Sequence, residues 1–287
     1  MRTTTLKSGA AVIAAGAILA SAAWADPFMD DTLIVNGEIE ITTVAPVPDH
    51  LEGALPELIS GWHYRTEETR DMERDDFDNP AMLYVEQAET VWNTVEGDAG
   101  ESCASCHGGP EAFEGFWAAQ PKVNPADGTL WSAEMYINDC RENRMGAEAW
   151  GWDSQPMKNM TALIASVSRG MPMNVQIDGD HAPYWERGKE IYYTRYGQME
   201  LSCANCHEDN NGNMIRADHL SQGHINGFPT YRLKQANLVS RHNRFRGCIR
   251  DTRAEPYAVG SDDFLALELY VASRANGLSI EGPAVRN

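Results

Sequence analysis

Apolar residues recur at helical spacing in four stretches of the chain, and the four fall into two similar pairs. The first pair opens at Asn79-Pro80, a capping residue followed by proline at the first helical position. It closes with Leu163 to Arg169, which stops at Gly170. The second opens at about Ala182, runs to Tyr196 and stops at Gly197. It closes with Phe264 to Arg274, led by Ser261-Asp262 and ended by Asn276-Gly277. A shift of 100 residues lays Val91 on Ile191, Trp92 on Tyr192, Gly97 on Gly197 and Ser102 on Ser202. The pattern predicts a mostly α chain built as an internal repeat, with domains over 80–179 and 180–287. One merged all-α domain is the alternative. Residues 26–79 form an N-terminal extension, and its charged stretch, Arg65 to Asp78, reads as surface helix or linker.

A different pattern precedes these. Arg2 and Lys7 are followed by an almost wholly apolar run from Ala10 to Ala23, then by Ala23-Trp24-Ala25. That is the layout of a secretory signal over residues 1–25 with a small-x-small cleavage site. The run is shorter than the roughly 20 residues that cross a bilayer. A mature chain without a membrane span, in the periplasm, is the expectation.

Each opening helix leads into the same motif. Cys103-Ala104-Ser105-Cys106-His107 is matched by Cys203-Ala204-Asn205-Cys206-His207. C-x-x-C-H is the attachment pattern of c-type haem. Two thiols one helical turn apart add to the vinyl groups, and the adjacent histidine becomes an axial iron ligand. A zinc site uses cysteine pairs but has no need of histidine at that one position. Two covalently bound haem c groups are expected, held by Cys103, Cys106, Cys203 and Cys206 with His107 and His207 on the irons. Helix, haem motif, loop-rich middle and closing helix together resemble the cytochrome c fold.

Each iron needs a second axial partner, often methionine in electron-carrying cytochromes. The first haem has Met145, Met157, Met160, Met171 and Met173 downstream. The second has only Met214, seven residues after His207 and too close to fold over the opposite face, so His219, His224, His242 and Cys248 are its candidates. Cys140 and Cys248 remain once four cysteines are attached. A disulfide between them is one reading, common in exported proteins. The repeat favours another. Cys140 follows His107 by 33 residues, Cys248 follows His207 by 41, and both precede similar sequence. Equivalent positions suggest one thiolate per haem, which lowers the reduction potential relative to His/Met ligation and hints at chemistry on the sulfur.

Composition narrows the function. The net charge is −19, and loss of the signal with Arg2 and Lys7 makes it more negative. That excludes a phosphate-binding surface for nucleic acid and suits solubility and steering of a protein partner. Against this background Arg241, Arg244, Arg246, Arg250 and Arg253 crowd around Cys248. Guanidinium groups favour the reactive thiolate and bind oxyanions through forked hydrogen bonds. Two or three of the five are expected to pair with haem propionates or with Asp251 and Glu255, leaving the rest for a small dianion.

These residues also carry a family resemblance. The segment DDFDNPAMLYVEQAETVWNTVEG, the paired SCASCH and SCANCH motifs, NDCRENRMGAEAWGWDS and above all RFRGCIRDTRAEPY resemble the A-subunit family of the SoxAX cytochromes of the periplasmic sulfur-oxidising system, in its dihaem form. The resemblance implies an L-cysteine S-thiosulfotransferase that joins thiosulfate to a cysteine on the arm of the SoxYZ carrier, with electrons leaving through haem to a cytochrome c. It implies a monohaem SoxX partner and an active site near their interface. It further implies His107 and Cys140 on the first iron, His207 and Cys248 on the second, Cys248 as the catalytic cysteine and Arg244 as the substrate-binding arginine. The alternatives are a dihaem periplasmic electron carrier without sulfur chemistry of its own, for which the second haem lacks a methionine, and a dihaem peroxidase, which needs an open iron.

Overall fold

The computed structural model describes residues 32–287; the signal reading of residues 1–25 lies outside the described residues. In chain order the helices are α1 (Glu67–Asp71), α2 (Met82–Trp92), α3 (Cys103–His107), α4 (Ala133–Cys140), α5 (Gln155–Ser166), α6 (Ala182–Tyr193), α7 (Cys203–His207), α8 (Arg241–Asp251) and α9 (Asp262–Ser273). The opening and closing helices of each repeat pack on one another, α2 against α5 and α6 against α9. Trp185, Ile191 and Tyr192 of α6 are buried, as are Leu267, Tyr270 and Val271 of α9. The Trp185 indole N–H donates to Ser273 Oγ at 2.9 Å across that crossing.

The helix ends differ from the sequence pattern for local reasons. Asn79 does not start α2. Its side chain accepts from the Ala81 N–H at 2.9 Å and donates to the Pro283 carbonyl at 3.0 Å, which ties the turn to the C-terminus. α6 stops at Tyr193 because Thr194 is extended, and Tyr196 pairs with Leu201 in a bridge. α5 begins earlier than its apolar run, where Ser154 Oγ accepts from Met157 N–H. Short strands also appear that helical spacing cannot reveal. Thr230–Arg232 lies between antiparallel Asn237–Val239 and parallel Ala284–Arg286.

Both repeats share one continuous hydrophobic core, in which Met160, Leu163 and Ile164 of α5 join Leu238, Leu267, Leu278 and Ile280. Main-chain and side-chain bonds cross the same boundary, Met173 N–H to Leu278 O at 2.9 Å and Lys158 Nζ to Leu238 O at 3.1 Å. The stretch Arg65 to Asp78 is not a linker. Arg65, Arg70 and Glu73 are buried. Glu73 pairs with Arg286 and accepts from the Val285 N–H, and Arg65 pairs with Asp218. Arg65 and Glu73 are ion-pair partners of the second repeat and its C-terminal strand, and Asp76 pairs with Arg169 at the end of the first.

The repeat is also a repeat of contacts. Ser102 and Ser202 each close a capping box at the haem motif, with Ser105 and Asn205 as reciprocal partners. The loops before them carry Gly97 and Gly197, at φ +73° and +66°. A Cβ at Gly97 would overlap the Met145 carbonyl, and one at Gly197 the Thr252 carbonyl. Met145 and Thr252 lie just beyond Cys140 and Cys248. The Ala99 N–H donates to Met145 O at 3.0 Å, and the Met199 N–H to Thr252 O at 3.3 Å. Gly197→Ala combines a left-handed backbone with that overlap, so a loss of about 2 kcal/mol or more is expected in urea unfolding. An unchanged midpoint would show that the loop and turn separate freely.

Candidate active site

α7 and α8 place the chemistry of the second repeat. Ser202 Oγ accepts from the Asn205 N–H and starts α7, so Cys203, Cys206 and His207 follow within little more than one turn. Ser240 Oγ accepts from the Asn243 N–H at 3.2 Å and starts α8. Arg244 and Cys248 then lie four residues apart, on one face of that helix. Cys203, Cys206, His207, Arg244 and Cys248 line a single cavity of about 460 Å³, closed on other sides by Tyr196 and Leu267.

His207 is held from behind. Its Nδ1–H donates to the Ser221 carbonyl at 2.7 Å, which leaves the Nε2 lone pair for a ligand bond. Gly223, at φ +79°, lies against the imidazole, and a Cβ there would stand 2.7 Å from the ring. The loop is anchored by Gln222, which accepts from the Ile59 N–H at 2.8 Å and donates to the Glu57 carbonyl at 3.0 Å. His224, kept neutral by burial, meets the same Gln222 oxygen at 2.8 Å. The N-terminal extension thus braces the histidine.

Cys248 is electrostatically unlike the other cysteines. Burial pushes its thiol up, but the Arg244 guanidinium and the His207 imidazole outweigh that and bring it down to about 7. Burial pushes Cys203 up to about 12 and raises Cys103, Cys140 and Cys206. Cys248 and His207 also line a second recess of about 140 Å³, with Arg65, Arg232, Arg244 and Arg286 in its wall.

Of the five arginines clustered in sequence, only Arg244 lines these cavities. Arg241 is buried, paired with Glu268 at 2.7 Å and laid over Trp117 at 4.0 Å. Arg246 is exposed beside Asn243, Arg250 is exposed 3.9 Å from Asp251, and Arg253 is exposed. Arg65, Arg232 and Arg286 take their place. They come from distant segments, and no local pattern marks them.

The first repeat has the same plan with a looser setting. Cys103, Cys106 and His107 form α3, and Cys140 ends α4 where the chain turns into a π-helix over Arg141–Met145. Cys140 is near enough to Cys103 to raise its thiol further, and Cys106 acts likewise on Cys140. His107 is exposed and packs against Phe113 at 4.8 Å and Trp92 at 6.0 Å.

The other axial candidates are engaged or remote. Met145, Met157, Met160 and Met173 are buried in the hydrophobic interior, Met171 lies against Gly115, and Met214 is exposed. His242 stacks on Trp152 at 4.8 Å and faces Glu268 at 2.9 Å. His219 lines the small recess without joining α7. Cys140 and Cys248 are both free and belong to different halves, so the disulfide reading does not hold. Among the described residues no group of three or more His, Cys, Asp or Glu is disposed to hold a bare metal ion. Paired thiols, an imidazole with a fixed Nδ1 and an opposing thiol around one cavity instead fit a covalently attached haem.

Comparisons with known proteins agree with this geometry. A model of the SoxA/TsdA cytochrome c domain matches residues 87–173 and 187–280. The chain is 58% identical over 288 residues to the L-cysteine S-thiosulfotransferase subunit SoxA of Paracoccus pantotrophus, covering 100% of this chain and 99% of that one. It is 56% identical to the subunit of the same name from Rhodovulum sulfidophilum, covering 97% and 96%. The crystal structure of SoxXA from P. pantotrophus superposes with a TM-score of 0.89 at 58% identity, covering 91% of this chain and 100% of that chain.

The thiolate of Cys248 persists above the pKa of its thiol and is lost as pH falls. Arg244→Gln removes the main influence holding that pKa down. Thiolate-selective alkylation of Cys248, followed against pH, should therefore set in at a higher pH than in the wild type. An unmoved profile would take Arg244 out of the thiol's electrostatic environment.

Proposed function

Because this chain belongs to the SoxA/TsdA cytochrome c family, we propose that it acts as the SoxA subunit of an L-cysteine S-thiosulfotransferase, conjugating thiosulfate oxidatively to the arm cysteine of a SoxYZ carrier in the periplasm. The reading carries two haem c groups, on Cys103 and Cys106 with His107, and on Cys203 and Cys206 with His207. Cys140 and Cys248 would supply the second protein ligand to each haem iron. A monohaem SoxX subunit completes the enzyme, supported by the likeness to SoxXA. Among the described residues no helix is long and apolar enough to cross a membrane.

One observation carries the proposal. Cys248, the cysteine with the lowered thiol pKa, lines both the cavity that holds the paired thiols of Cys203 and Cys206 and the arginine-lined recess that adjoins it. The overall conversion takes a carrier thiol and thiosulfate to a thiosulfonate, with one S–S bond formed and one proton and two electrons released. Cys248 takes the substrate first: its thiolate sulfur bonds to the outer sulfur of thiosulfate and both electrons leave in that step, while the proton of the overall conversion comes off the carrier thiol. The carrier thiolate then attacks the same outer sulfur and frees the Cys248 thiolate, with no further change of oxidation state. Bound haem supplies the redox centre that takes the electrons onward to a cytochrome c. This chain's own part is to keep Cys248 a thiolate through Arg244 and to hold His207 through Ser221 and Gly223. A pure electron carrier has no use for a cationic recess at the sulfur.

The test is thiosulfate-dependent conjugation of the carrier cysteine by the enzyme assembled with its monohaem partner. Cys248→Ala should lower turnover by about a hundredfold or more, in the range lost with a covalent-catalysis nucleophile. Haem content should stay at two per chain. Full turnover in that variant would remove Cys248 from the chemistry.

A further inference from the structure

We infer that Arg232 is a second substrate-binding arginine of this site and that, with Arg244, it clamps the sulfonate end of thiosulfate beside Cys248. The inference rests on the thiosulfotransferase reading and adds the residue that gives the recess its preference for a dianion.

Four guanidinium groups line the recess. Two already have carboxylates: Arg65 pairs with Asp218, and Arg286 pairs with both Glu73 and Glu281. The other two have no side-chain carboxylate of their own. Arg232 donates its Nε–H to a main-chain oxygen of Asn287, the last residue, at 2.7 Å, and its outer N–H groups bond no other group among the described residues. The Arg244 side chain has no hydrogen-bond or ion-pair partner among the described residues. Arg232 and Arg244 are close enough for each to oppose the other's charge, and Asp218, the carboxylate beside them, is engaged with Arg65. Asp218 and Cys248 offset part of the charge of these two half-buried cations, and a bound dianion adds the rest.

The supports are rigid. Arg232 ends the middle strand of the three-stranded sheet, opposite Asn237 and Arg286. Arg244 lies one turn before Cys248 on α8. Thiosulfate carries two negative charges, a three-oxygen sulfonate end suited to forked donors and an outer sulfur at the other end. Two guanidinium groups on the sulfonate balance its charge and leave the outer sulfur for Cys248.

The experiment compares wild type, Arg232→Gln and Arg232→Lys in the assembled enzyme, by conjugation kinetics and by calorimetric titration with thiosulfate. Arg232→Gln should raise KM and the calorimetric Kd by about tenfold or more, the scale of a lost charge-assisted hydrogen bond, with kcat little changed. Arg232→Lys, which keeps the charge without the fork, should recover part of the loss. The low-spin haem signals should be the same in all three, which separates an anion contact from a disturbed fold. Normal turnover with unchanged KM and Kd in Arg232→Gln would overturn the clamp. A wild-type enzyme without thiosulfate turnover, whose anion binding still depends on Arg232, would overturn the assigned activity and support the clamp.

Discussion

The contact on which the site depends is the approach of Gly197 to the Thr252 carbonyl, so close that no side chain fits between them. Gly197 belongs to the loop that leads into the second haem motif, and Thr252 to the turn that ends α8. Their contact fixes how far the paired cysteines and His207 stand from Cys248. The first half repeats it with Gly97 and Met145. A cavity between two facing side chains needs walls whose spacing is set by backbone, because side chains alone would relax into the space. A glycine at a positive φ is the least bulky way to achieve that.

On this common scaffold the two thiols diverge for a reason visible one helical turn upstream. Four residues before Cys248 stands Arg244; four residues before Cys140 stands Tyr136. The guanidinium lowers the first thiol, whereas the second is raised by burial and by Asp139. The helices diverge at the same place. α8 continues past its cysteine to Asp251, while α4 ends at Cys140 and widens into a π turn. The repeat therefore holds two similar frames, and a single side chain accounts for much of their electrostatic difference.

What could be read from sequence was what is local. A C-x-x-C-H motif is chemistry within one turn, and the opening and closing helices follow from spacing over a dozen residues. The arginine cluster shows where such reading ends. Helical geometry puts Arg241, Arg244 and Cys248 on one side of α8 and turns Arg246 and Arg250 to solvent; Arg241, two turns before the thiol, is taken by Glu268 and Trp117, which leaves Arg244 one turn from Cys248. Arg65, Arg232 and Arg286 reach the recess through sheet pairing and docking of the extension, neither of which leaves a periodic trace. The reading of Arg65 to Asp78 as surface helix or linker stopped short for the same reason: a short helix does form there, but Arg65 and Glu73 have partners more than 140 residues away.

The extension lies before the segments matched by the family model, yet it bears on the site from two sides. Through Glu57 and Ile59 it fixes Gln222, and through that loop Ser221 and Gly223 hold the His207 ring. Through Arg65 it occupies Asp218, the carboxylate that otherwise would neutralise Arg232. Glu73 and Glu281 likewise occupy Arg286. Buried ion pairs contribute little net stability because desolvation offsets most of their attraction. Here their effect is a matter of allocation: Glu73 and Glu281 are bound to Arg286 and Asp218 first of all to Arg65, so much of the positive charge left over falls on Arg232 and Arg244, beside Cys248.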